Sequence, residues 1–410
     1  MSLNETVSAE RLHIGFFGLR NAGKSSVVNA VTGQDLAVVS DVKGTTTDPV
    51  KKAMELLPLG PVLIIDTPGL DDEGELGLLR VKKARRILAQ TDIAVLVVDA
   101  VKGLSELDRT LLQEFRERNL PHIVVHNKAD LLPEQPELPE NGLYVSAVTG
   151  ENIRELKETI GALAKAGQAE KKIASDLLQP GEVAVLVTPI DSAAPKGRLI
   201  LPQQMTIRDL LDAGCIPVVC RETELARTLD SLKQPPRLVI TDSQAFGKVA
   251  ELVPEQVPLT SFSILMARYK GELSELVRGA ARLSQLKDGD RVLISEGCTH
   301  HRQCGDIGTE KLPKWIRAFS GGEITFEFTS GGEFPEDVSR YALVVHCGGC
   351  MLNEKEMKHR IRTAVRGEVP IVNYGVAIAQ MNGILRRSLE VFPQIQQLLD
   401  GESCAAAWSN

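Results

Sequence analysis

Short, nearly unbroken apolar runs alternate along this chain with longer stretches in which apolar residues return every three or four positions. In the first third, the runs HIGFF, PVLIID, IAVLVVD and PHIVVHN read as strands buried on both faces, as in a parallel sheet. Between them, residues at about 75–90 and 104–118 carry the helical period expected of crossover helices, and a helix at about 151–164 closes the segment. The polar, small-residue stretch AKAGQAEKKIASD then reads as a connector. From about 180 the pattern restarts, with strand-like EVAVLVTPI, IPVVC and RLVITD around a helical TIRDLLDAG. It restarts again near 271, where ELSELVRGAARLSQL and PKWIRAF are helical. DRVLIS, EITFEFT, YALVVH and VPIVNYG are strand-like there, with helices after the last two. The pattern predicts an α/β protein with three such regions.

A length of 410 residues suits two or three domains of roughly 150 residues each. No 18 apolar residues run together, and the N-terminal MSLNETVSAERLHIG lacks the basic start and apolar core of a secretory signal. A cytoplasmic protein with no membrane partner is expected. The net charge of −7 offers no overall basic character for nucleic acid, which is not an expected partner. Of seven cysteines, five (Cys298, Cys304, Cys347, Cys350 and Cys404) follow residue 290, as do His300, His301, His346 and His359. Cytosolic thiols seldom form disulfides, so metal chemistry is to be sought there, while Cys215 and Cys220 read as core residues.

The strongest chemical signal lies in the first region. Gly18-Leu19-Arg20-Asn21-Ala22-Gly23-Lys24-Ser25 fits the phosphate-binding pattern G-x-x-x-x-G-K-[ST], after a strand and at the start of a helix that continues with Ser26. Its glycines let backbone N–H groups approach phosphate, Lys24 is expected on the β- and γ-phosphates, and Ser25 on Mg²⁺. Asp66-Thr67-Pro68-Gly69 follows a strand, placing an acid for the Mg²⁺ shell and the Gly69 N–H for the γ-phosphate. Upstream, Thr46 or Thr45 is expected to cover Mg²⁺; spacing does not separate them. Asn127-Lys128-Ala129-Asp130 supplies a carboxylate for guanine N1–H and its amine, donors that adenine lacks, and Ser146-Ala147 resembles the last guanine-contact loop. These motifs, in this order, predict GTP binding and hydrolysis, with Lys24, Asn21, Thr46 and Gly69 at the reacting phosphate. The position after Gly69, often a water-orienting Gln in small GTPases, is Leu70. That substitution resembles a branch in which K⁺, held partly by a phosphate-loop Asn, takes the place of an arginine finger worth roughly 10³–10⁵ in rate. Asn21 stands at that position, so slow, K⁺-stimulated turnover is expected. Asp71, Asp72, Glu73 and Glu75 are all candidates to orient water.

The second constellation is Cys298-x-His300, then His346-Cys347-x-x-Cys350. Cys298 and Cys347 each follow a strand-like run, and loops at the carboxyl ends of neighbouring parallel strands face one crevice. The ligand types admit a Cys₃His zinc site or an iron–sulfur cluster on three cysteines with an open fourth position.

GTPase motifs followed by this cysteine–histidine pattern resemble, over essentially the whole chain, the FeFe-hydrogenase maturation GTPase family. The resemblance implies a P-loop GTPase domain at 1–168, an αβ dimerisation domain at 175–270 and an αβ iron–sulfur domain at 271–410. Cys298, Cys347 and Cys350 would hold a 4Fe–4S cluster, with His300 and His346 matching the motif's histidines. A homodimer or larger assembly is implied, acting as scaffold and carrier. It would accept a di-iron precursor from two radical-SAM maturases and deliver it to apo FeFe-hydrogenase. The competing reading is a translation-linked GTPase, acting on ribosome or tRNA, with a structural zinc domain.

Overall fold

The computed structural model describes residues 10–33, 50–56, 59–69, 84–138, 141–167, 171–189, 199–297 and 306–400. They fall into two compact units, 1–170 and 171–410.

The first unit is a six-stranded sheet in the order β2-β3-β1-β4-β5-β6. Its strands are β1 (Leu12–Phe17), β2 (Val50–Leu56), β3 (Gly60–Asp66), β4 (Ile93–Asp99), β5 (His122–Asn127) and β6 (Gly142–Val145). All pair in parallel except β2, which runs antiparallel to β3 at the edge. The apolar runs are two-faced, as period-two geometry requires. Ile14, Ile64, Val95, Val97 and Val125 pack on one side with α1 (Lys24–Thr32) and α4 (Ile153–Gly167). Leu63, Ile65, Leu96 and Val98 pack on the other with helix α2 (84–90) and α3 (Glu106–Glu117). A capping box starts α3: Ser105 Oγ accepts from Asp108 N at 3.1 Å, and the Asp108 carboxylate accepts from Ser105 N at 3.0 Å.

The second unit holds two parallel four-stranded sheets. One has the order β10-β9-β7-β8, from β7 (Val183–Val187), β8 (Ile216–Cys220), β9 (Leu238–Thr241) and β10 (Leu259–Ser261). The other has the order β12-β11-β13-β14, from β11 (Arg291–Ser295), β12 (Thr325–Thr329), β13 (Leu343–His346) and β14 (Ile371–Asn373). Its helices are α5 (Leu201–Asp212), α6 (Leu225–Ser231), α7 (Phe246–Leu252), α8 (Phe262–Lys270), α9 (Leu273–Ala280), α10 (Leu312–Ser320), α11 (Glu354–Arg366) and α12 (Tyr374–Met381). One apolar core joins the sheets: Leu186 and Ile240 of the first, Ile294 and Val345 of the second, and Ile264, Leu265 and Met266 of α8 belong to it. Helix α8 is the seam, packing on α5, α9, α11 and α12.

The connector expected around residue 170 ends inside this core. Ile173 and Ala174 are buried, and the Asp209 carboxylate accepts from Ala174 N and Ser175 N, both at 2.8 Å. Cys215 and Cys220 are buried, as their surroundings suggested. No helix among the described residues is long and apolar enough to cross a membrane.

Candidate functional site

Two sites are built at carboxyl ends of parallel strands, one in each unit. In the first, β1 delivers the phosphate-loop residues. Gly18 lies against β4: a Cβ there would come 2.2 Å from the Val97 carbonyl oxygen, and its φ is +145°. Asn21 and Gly23 take left-handed backbone, with φ of 64° and 82°. Lys24 begins α1, whose N-terminal turn carries no side-chain cap and no acidic residue, so its N–H groups suit an anion. Lys24 is buried, with Nζ 3.5 Å from Asp66 Oδ1; Ser25 Oγ donates to Asp66 Oδ2 at 2.9 Å. Asp66 Oδ1 is buried and accepts no hydrogen bond among the described residues. A buried carboxylate oxygen left over, beside a serine hydroxyl, matches the oxygen donors that Mg²⁺ takes. Gly69 sits against the loop, where a Cβ would lie 2.9 Å from the Arg20 Cα.

The base-side loops lock onto the phosphate loop. Asn127 ends β5 with Nδ2 donating to Ala22 O at 3.0 Å and Oδ1 accepting from Ala147 N at 3.1 Å. Lys128, in left-handed backbone with φ 69°, donates to Asn21 O at 2.9 Å and to Asp99 Oδ2 at 2.6 Å. Burial alone would raise the Asp99 carboxyl; hydrogen bonds from Lys128 and the Val101 N–H outweigh it and hold the group below its usual range. Asp130 is exposed on the turn after β5, and the buried Ser146 Oγ accepts from Thr149 N at 3.1 Å. Ser26 follows on α1, half-buried. Thr45, Thr46, Leu70, Asp71, Asp72, Glu73 and Glu75 lie outside the described residues.

The second site lies between β11 and β13. The chain leaves β11 toward β12 on one side, and β13 leads to β14 on the other, so this gap is the sheet's topological switch point, where α/β sheets bind ligands. Ser295 pairs with His346, and Cys347 N donates to Ser295 O at 2.9 Å. The Cys347 sulfur then accepts from Gly297 N at 3.0 Å and Gly349 N at 3.4 Å. The residue before Cys298 therefore touches the Cys347 sulfur. Cys298, His300, His301, Cys304 and Cys404 lie outside the described residues. Cys350 is half-buried on the same loop as Cys347. Burial pushes the Cys347 thiol up to about 11, opposed by the two N–H donors, which favour thiolate. No group of three His, Cys, Asp or Glu side chains poised for a metal ion occurs among the described residues.

His346, one of the motif's two histidines, has both ring nitrogens engaged by other groups. It is fully buried; Arg360 donates to Nε2 at 3.0 Å, and Nδ1 faces Cys347 O at 2.7 Å. Nε2 must accept and Nδ1 must donate, leaving the ring no lone pair for a metal. Burial, then the Arg360 charge, holds this imidazole neutral, down to about 3. Arg360, fully buried, also donates to Glu356 Oε1 at 3.0 Å, Gly331 O at 2.7 Å and Ser295 Oγ at 3.3 Å. Sequence reading missed it, because one arginine among the charges of EKEMKHRIRTAVR looks like a solvated face.

A phosphate loop on a central parallel strand, bolted to base-selecting loops on neighbouring strands, is the plan of P-loop GTPases, and the first unit is one. The "50S ribosome-binding GTPase" family description matches residues 13–128. The "Hydrogen maturase F dimerization domain" matches 173–271 and the "Hydrogen maturase F tetramerization domain" 274–391. Together these last two take in more than half of the chain, which belongs to the hydrogen maturase F family.

Among curated relatives, the tRNA modification GTPase MnmE of Nitrosomonas europaea is 36% identical over 159 residues, 37% of this chain and 34% of that protein. The same enzyme of Streptococcus mutans is 32% identical over 158 residues, 38% of this chain and 34% of that one. The chain thus spans about a third of the length of these relatives. Among solved structures, Era in complex with 16S ribosomal RNA is 20% identical and covers 51% of this chain and 91% of its own, with a TM-score of 0.34. The G domain of the T. maritima FeoB iron transporter is 25% identical and covers 38% of this chain and 99% of its own, with a TM-score of 0.31.

Proposed function

We propose that this hydrogenase-maturation GTPase is a scaffold and carrier. It accepts a di-iron precursor of the hydrogenase active-site cluster from two radical-SAM maturases and delivers it to apo FeFe-hydrogenase. GTP binds in the first unit, with Lys24 on the β- and γ-phosphates and Asp130 selecting guanine. Ser25, Asp66 and Thr46 hold Mg²⁺, and Asn21 contributes to a K⁺ site. The two cations would offset phosphate charge as the γ-phosphate leaves. In the second unit, residues 175–270 dimerise the chain and residues 271–410 carry a 4Fe–4S cluster on Cys298, Cys347 and Cys350.

One observation carries the metal half of this reading: the Cys347 sulfur lies at a sheet switch point, hydrogen-bonded by Gly297, the residue next to Cys298. N–H donors to sulfur are among the means by which proteins tune such thiolates. A centre held by three thiolates keeps one iron position exchangeable, which suits a protein that must take up cargo and release it. The translation-linked alternative draws on relatives matched over less than half of the chain, and nothing at the thiol loop favours it.

Anaerobic reconstitution of the full chain with iron and sulfide tests the proposal. A brown protein with a paramagnetic signal on reduction, lost in Cys347→Ser, is expected. A colourless protein holding stoichiometric zinc overturns it.

A further inference from the structure

Lys270 ends α8, in the part of the second unit built on β7–β10, yet its side chain serves the thiol loop. Nζ donates to the carbonyl oxygens of Cys350 and Leu352, both at 3.0 Å, and only 3% of the residue is exposed. A lysine in the last turn of a helix already helps by facing the helix dipole, and it does so at no desolvation cost when it points to water. Here it is taken out of water, which costs several kcal/mol unless hydrogen bonds replace hydration. Two carbonyls of another segment are among the replacements, so the arrangement specifies that segment's shape.

The opposite end of the loop is anchored in the same sense. Arg360 fixes His346, whose ring faces Cys347 O at 2.7 Å. Three carbonyls of residues 347–352 are therefore tied to buried side chains, while Gly297 and Gly349 turn their N–H groups onto the Cys347 sulfur. Arg360 is paired with Glu356, so its charge is largely offset within α11.

We propose that Lys270 is a positioning residue of the thiol centre. It fixes the Cys350–Leu352 backbone from the dimerisation side of the unit, and it sets positive charge beside the loop, easing reduction of a metal–thiolate centre there. The second clause rests on the metal reading above; the first does not.

Full-length protein, Lys270→Met and Lys270→Arg separate these claims. In metal-free protein, iodoacetamide labelling followed by mass spectrometry reads each thiol. Lys270→Met should label Cys347 and Cys350 about tenfold faster by freeing the loop, as local opening does. The buried Cys215 and Cys220 should keep their rates, and Lys270→Arg should restore wild-type labelling. Unchanged rates, or equal acceleration of all four thiols, overturn the positioning role. After anaerobic loading, an EPR-monitored potentiometric titration should find the Lys270→Met midpoint lower by about 59 mV, a tenfold loss of the reduced form for one electron. An unchanged or higher midpoint overturns the electrostatic role. Wild-type protein that takes up no iron would sink the carrier proposal, while the labelling would still decide the role of Lys270.

Discussion

In the proposed function, Asp130 and Lys24 divide the nucleotide's recognition between them. Asp130 is exposed on the turn after β5, open to a base, whereas Lys24 is buried beside Asp66 at the start of α1. Asp130→Asn replaces an acceptor pair with one acceptor and one donor, so xanthosine nucleotides should displace guanosine nucleotides in competition binding. Lys24→Ala should abolish measurable phosphate release, since it removes the buried cation at the start of α1. Arg360 offers a stability test at the same scale. Its partner Glu356 is buried, with Oε2 accepting no hydrogen bond among the described residues. Arg360→Met leaves that carboxylate uncompensated and should cost about 3–5 kcal/mol in urea unfolding, whereas the double variant with Glu356→Met should recover most of it. A double variant as unstable as the single one would mean that Arg360 acts through His346 and Gly331 and not through the ion pair.

Among the elements, α9 and β14 meet at a glycine. A Cβ on Gly279 would lie 2.0 Å from the Ile371 carbonyl oxygen, backbone that cannot swing aside. Gly279→Ala should therefore destabilise the second unit by about 1–3 kcal/mol despite alanine's better helix propensity; a more stable variant would show that α9 can shift. The same physics explains what sequence pattern could reveal. Strands β1, β3, β4 and β5 were legible because burial on both faces demands continuous apolar runs. Strand β2 was not, because VKKAMEL is an edge strand whose residues are mostly exposed. Helix α8 was missed for the opposite reason: Phe262, Ile264, Leu265, Met266 and Ala267 are all buried, which erases the polar face that betrays a helix. The nucleotide loops were readable because their chemistry is local, each within a few residues of one strand end. Lys270 and Arg360 were not, because Lys270 bonds Cys350 O 80 residues on, and Arg360 reaches Gly331 and Ser295, 29 and 65 residues away, which only folding brings near.

At the scale of the molecule, each compact unit owns its hydrophobic clusters: Ile14, Phe17 and their neighbours within the first, Leu186, Val187 and theirs within the second. Separate cores imply separate cooperative transitions, and a ligand stabilises only the body whose folded state binds it. A non-hydrolysable GTP analogue with Mg²⁺, at a hundred times its dissociation constant, adds about 2.7 kcal/mol to the unit that holds the phosphate loop. For a body of 150–250 residues each kcal/mol is worth roughly 2–4 °C, so calorimetry should show one transition rising by about 5–11 °C. The other should stay in place. If instead a single transition moves as a whole, the nucleotide's binding energy is shared with the thiol-bearing unit. GTP state and thiol-loop stability would then be linked thermodynamically, and Lys24→Ala should remove that shift while leaving the transition single.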